Sequence, residues 1–83
     1  MDREEFVRRT GALRTRLYRT AFAYLGGEAA ALEAMDEAVY QALRHLHQLR
    51  EPDCFETWLT RILINECGRE LRRLKRLRPD EYL

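Results

Sequence analysis

Apolar residues recur at steps of three and four along three stretches of this chain, and Gly26-Gly27 and Pro52 separate the stretches. That periodicity predicts amphipathic helices and little else. The first stretch covers residues 3–25. Phe6, Leu13, Leu17, Ala21 and Tyr24 form its stripe, and Tyr18, Phe22 and Leu25 widen it. Asp2 and Glu5 have capping-box spacing, with Asp in place of Ser or Thr, and Gly26-Gly27 supplies a stop. An unbroken helix here is about 34 Å long at 1.5 Å per residue. The second stretch, 28–49, carries Leu32, Met35, Val39, Leu43, Leu46 and Leu49. Pro52 prevents it from running on. The third, 54–77, carries Trp58, Leu59, Ile62, Leu63, Cys67, Leu71 and Leu74. Asp53 and Glu56 again have capping-box spacing. Pro79 closes this stretch, and the PDEYL tail reads as a frayed end or a short turn. No alternating strand pattern is present. With 83 residues, one domain is the limit. The expectation is an all-α fold, a small antiparallel bundle of three long helices spanning 1–83.

Charge is distributed in blocks. Residues 1–27 carry six Arg against three acids, a balance of +3. Residues 28–56 carry two Arg against seven acids, −5, and residues 57–83 return to +3. The net charge of +1 hides this layout. Alternating blocks suit two partners of opposite sign, or one fold whose surfaces complement each other. No apolar run reaches the roughly 18 residues of a membrane helix, and the charged start MDREEFVRRTG is no signal peptide. Membrane insertion is not expected, and the cytoplasm is the expected compartment. Cys54 and Cys67 have no metal-ligand or CxxC spacing and read as buried free thiols, with a disulfide as the alternative. His45 and His47 are two residues apart, so a helix points them to different sides. No nucleophile–base set, phosphate loop or metal motif is present. No catalytic residue, metal or cofactor is therefore expected, nor an enzyme.

Two faces carry chemistry instead. Glu33, Asp36 and Glu37 lie at i, i+3 and i+4 and share one helical surface. A basic partner turns their mutual repulsion into attraction. Arg61, Asn65, Arg69, Arg72 and Arg76 recur at three and four along the third stretch, with Arg73 beside them. This line suits a nucleic-acid backbone, and Asn65 and Arg61 suit base edges. The helix dipole explains cations only in the last turn, and this run is longer. Among the aromatics, spacing assigns Trp58 and Phe22 to the core. Phe55, beside the loop, is left for base stacking.

Several segments resemble a known family. Phe55-Glu56-Thr57-Trp58-Leu59-Thr60-Arg61-Ile62-Leu63-Ile64-Asn65 is similar to the F-x-T-W-L-x-R-I-x-x-N signature of bacterial sigma factors. The match is to region 2 of the sigma-70 family, extracytoplasmic-function group. Asp36-Glu37-Ala38-Val39-Tyr40-Gln41-Ala42-Leu43-Arg44-His45-Leu46 resembles the family's Q-E-V-F-x-x-A-W-R-x-L segment. Arg16-Leu17-Tyr18-Arg19-Thr20-Ala21 resembles the R-L-Y-R-x-A of its first helix. The likeness covers about residues 5–76.

The resemblance implies a helical domain that docks on the clamp helices of the RNA polymerase β′ subunit. Glu33, Asp36, Glu37 and Gln41 fall on that docking face. It further implies recognition and melting of the promoter −10 element, with the non-template strand held by the loop and third helix. Gln48, Arg50, Phe55, Arg61, Asn65, Arg69, Arg72, Arg73 and Arg76 fall there. A flipped base is expected in a pocket formed by the loop. An anti-sigma protein is a further expected partner. The chain departs from the family where an acidic D-A-E-D run is Ala30-Ala31-Leu32-Glu33, and where a Gln is Asp36. Gly68 interrupts the third helix at a cost of about 1 kcal/mol. A −35-binding C-terminal domain is missing, as expected of a piece of a longer protein. The alternatives are an interaction module on the same fold without DNA binding, held by an anti-sigma protein, and a generic helical dimerisation domain.

Overall fold

The computed structural model describes residues 1–78 and 80, and every regular element among them is helical. Asp2 caps α1 (Arg3–Ala12) as its spacing predicts, with Oδ1 accepting from the Glu5 N–H at 2.8 Å. The expected helix over 3–25 is not continuous. Leu13 sits at φ −94°, ψ −1°, and α2 (Arg14–Leu25) begins after it. The described residues therefore form four α-helices, where the periodicity predicted three. Gly11 weakens the helix just before the break. The backbone groups of Leu13 remain paired across the break. The Leu13 N–H is shared between the Arg9 and Thr10 carbonyls at 3.2 and 3.1 Å, and its own carbonyl accepts from Leu17 at 2.9 Å. Phe6 of α1 is thereby buried edge-on against Phe55, ring centroids 5.7 Å apart, while Leu17 and Ala21 of α2 are buried too.

Gly26 ends α2 in the left-handed conformation, φ 71°, where a side chain would be strained. Gly27 then starts α3 (Glu28–Arg44). This helix stops short of the predicted 49: the chain leaves it at His45 and makes a 3₁₀ turn over Leu46–Gln48. Leu49 and Glu51 are extended, and a second 3₁₀ turn, Pro52–Cys54, leads into α4 (Phe55–Leu77). The expected Asp53–Glu56 capping box does not form. The Pro52 turn places Cys54 at the cap position, and no side chain caps α4. The expectations for Pro79 and for the end of the tail lie outside the described residues.

Helices α3 and α4 make the largest contact and run antiparallel. Glu33 near the start of α3 reaches Arg73 near the end of α4, and the end of α3 lies beside Trp58, Ile62 and Asn65. The α4 stripe is as predicted, with Leu59, Leu63 and Cys67 fully buried. The α3 stripe holds only in part: Met35 is buried and Val39, Leu43, Leu46 and Leu49 pack against the core, but alanines fill most of the buried face. Its buried face is Ala31, Ala34, Met35, Ala38 and Ala42, whereas Leu32 is 37% exposed. The reason is crowding. All three other α-helices pack on α3, and small side chains let their backbones approach it closely. Val39, Leu43, Leu46 and Leu49 close the edges of the core. Two further expectations fail on α2. Phe22 and Tyr24 are 43% and 46% exposed, because the buried line on that helix is Leu17–Ala21.

Candidate nucleic-acid interface

The turns between α3 and α4 fold back over the first half of α4 and leave two adjoining hollows. One, of about 210 Å³, is lined by Gln41, His45, Gln48, Trp58, Ile62, Asn65, Glu66 and Arg69. The other, of about 420 Å³, is lined by Gln48 to Glu51 together with Cys54, Thr57, Trp58 and Arg61. Gln48 and Trp58 belong to both. The Gln48 amide lies 3.5 Å from His45 Nδ1. A half-buried indole flanked by three side-chain amides and guanidinium groups has the chemistry that an unstacked base requires. The ring offers a stacking face, the amides offer paired donors and acceptors, and the guanidiniums meet phosphate.

The structure brings together Gln48, Arg50, Arg61, Asn65 and Arg69 of the predicted nucleic-acid set. It removes Phe55. That ring is 0% exposed, held by Phe6, by Trp58 at 6.1 Å, and by the Arg9 guanidinium 5.0 Å above it. A ring sealed beneath α1 cannot stack on a base, so Phe55 is a core residue. The half-buried Trp58, expected in the core, is the aromatic ring that lines both hollows, and His45 joins the lining of one. Phe55 lies four residues before Leu59, so the 59–63–67 spacing extended backward would have assigned it to the core.

Beyond the hollows, Arg69, Arg72, Arg73 and Arg76 continue along α4 into a groove of about 640 Å³. The opposite wall is the acidic ridge of α3: Glu33, Asp36 and Glu37. The two charge sets that the sequence separates thus face each other. Arg73 makes a bidentate pair with Glu70 and reaches Glu33 at 3.9 Å. The Glu70 hydrogen bonds raise the Arg73 pKa further and keep it charged. Arg69 lies 3.8 Å from the largely buried Glu66. Arg61, Arg72 and Arg76 make no ion pair among the described residues and are exposed. Gln41 donates to Glu37 Oε1 at 2.9 Å, yet it lines the loop-side hollow rather than this groove. Both cysteines are free, but only Cys67 is buried as expected; Cys54, at the end of the Pro52 turn, is exposed. Burial pushes the Cys67 thiol above its ordinary range, and Glu66 adds to the effect.

The sequence of this four-helix domain, with an arginine line on one helix and an acidic ridge on its neighbour, matches one family. The family description Sigma-70 region 2 matches residues 11–77, and the chain belongs to that family. It is also 31% identical over 61 residues to a protein named RNA polymerase sigma factor SigV, from Bacillus subtilis (strain 168). That alignment covers 74% of this chain and 37% of the relative, so the chain matches little more than a third of that protein's length. No solved structure matches the chain significantly. No helix among the described residues is long and apolar enough to cross a membrane.

Proposed function

We propose that this chain is the promoter-opening domain of an RNA polymerase sigma factor of the extracytoplasmic-function group, working in the cytoplasm by binding rather than by catalysis. The acidic ridge Glu33, Asp36 and Glu37 docks on the β′ clamp helices. The loop-side hollows receive an unstacked base of the −10 non-template strand, with Asn65, Gln48 and Gln41 reading its edge and Trp58 against its face. Arg61, Arg69, Arg72 and Arg76 carry the phosphates, over about 22 Å of helix. The observation that carries this reading is the pair of hollows around Trp58, lined by the Gln41, Gln48 and Asn65 amides at the head of an arginine line. Extruding a base costs a few kcal/mol, which the melted strand recovers by stacking and phosphate contact. The −35 element falls to another part of the protein.

The test is binding of this domain to isolated β′ clamp helices, wild type beside Asp36→Arg/Glu37→Arg. Binding lost on charge reversal supports the assignment. A folded wild type that does not bind, and shows no preference for −10 single strands over scrambled ones, refutes it. An interaction module on the same fold would then be the better description.

A further inference from the structure

Glu66 is 8% exposed, the one charged residue that the fold buries among those described. It follows Leu63 by three positions on α4 and stands next to Cys67, both of them core residues. Its carboxylate makes no hydrogen bond among the described residues. Its ion pair there, to Arg69 at 3.8 Å, is beyond hydrogen-bond length. Glu66 also lines the smaller hollow, beside Trp58 and Asn65. Buried polar groups are nearly always paired, and an unpaired charged one costs more than a neutral one. A carboxylate left open on the wall of a hollow points to a donor that arrives with the ligand. The neighbouring amides lean the same way. Gln41 donates its Nε2 to Glu37 at 2.9 Å, and Gln48 Nε2 lies 3.5 Å from His45 Nδ1. The oxygens of both amides are left uncommitted. The lining is therefore rich in acceptors.

We propose that Glu66 is a specificity-determining residue of this hollow: its carboxylate accepts from the exocyclic amine of the unstacked base, so the site takes adenine, cytosine or guanine and rejects thymine. This rests on the reading above, in which the hollow receives an unstacked base. Trp58 cannot discriminate, because every base has a face to stack. The edge must do so. Thymine has no exocyclic amine, and its one N–H lies between two carbonyl oxygens. A carboxylate only accepts, so those oxygens repel it and leave it without a full partner. A site built around a hydrogen bond rejects a ligand that lacks the donor far more strongly than an apolar pocket rejects a missing methyl.

The test is fluorescence anisotropy of labelled −10 single strands in which each position carries A, C, G and T in turn, on wild type and Glu66→Gln. Glu66→Gln keeps the shape and adds a donor. It also removes a negative charge near the phosphates, which tightens binding to every strand alike, so the readout is the ratio between bases. At one position, wild type should bind the best amine-bearing base about tenfold more tightly than thymine, and Glu66→Gln should narrow that ratio to less than about threefold. A chemical deletion repeats the test on the unaltered protein. The analogue without the amine (purine for adenine, pyrimidin-2-one for cytosine, hypoxanthine for guanine) should bind wild type about tenfold more weakly than the parent base. If wild type accepts thymine or the analogue equally well, or if folded Glu66→Gln keeps the full ratio, the proposal is overturned and the single-strand reading stands. If wild type does not prefer −10 strands to scrambled ones, both fall.

Discussion

Arg72 offers the cleanest test of the arginine line, because its guanidinium is exposed and makes no ion pair among the described residues. Each phosphate neutralised on single-stranded DNA contributes about 0.7 to the slope of log affinity against log salt. Arg72→Ala should lower that slope by about 0.7 and leave sequence preference alone. Raising salt from about 50 to 200 mM weakens binding about 2.6-fold per contact, so three free guanidiniums, Arg61, Arg72 and Arg76, together give about 18-fold. Folding stability should move by less than about 0.5 kcal/mol. Arg73 provides the opposite perturbation. Glu70 holds it in a bidentate pair. Glu70→Gln frees that cation, and the slope should rise by up to about 0.7. Fluorescence anisotropy of a labelled −10 single strand and a scrambled control, each at four salt concentrations, measures both slopes. The reasoning fails if Arg72→Ala changes base preference at constant slope. It fails equally if Glu70→Gln leaves the slope where it was.

Further outcomes are expected. Phe55→Ala should cost about 3–5 kcal/mol in urea denaturation, a large share of the roughly 4–12 kcal/mol available to a chain this size. Exposed Asn65→Ala should cost almost nothing in stability while reducing discrimination among −10 sequences. Gly68→Ala should raise stability by about 0.5–1 kcal/mol, since the added Cβ meets only the flexible end of Arg72 at 3.5 Å; chemical denaturation checks it. For the thiols, Cys54 should react with a disulfide reagent in the folded protein and Cys67 only on unfolding. The folded-state pKa of Cys67 is raised, so its contribution to stability is fully present below the pKa of the unfolded thiol. It is lost as pH climbs through the folded value, and alkaline melts should record the loss.

Local chemistry in the sequence was enough for the helical class, the Asp2 cap, the Gly26 stop, the α4 stripe and the line of arginines. Each depends on residues within one or two turns of each other, where spacing maps directly onto a helical face. Interactions between distant segments decided the rest. The break at Leu13 follows from docking Phe6 on Phe55, 49 residues further along the chain. Phe55, at the loop end of its helix, was open to base stacking by sequence alone, and α1 covers it. The core face of α3 is set by how many helices converge there, so alanines outrank the leucines that periodicity favours. A helix's own sequence carries its hydrophobic direction but not how closely its neighbours approach. The same limit applies to the candidate site. Residue types and spacing marked the acidic ridge and the arginines as separate surfaces. Only the antiparallel packing of α3 on α4 turned them into facing walls of one groove, with Arg73 bound to Glu70 and reaching across to Glu33.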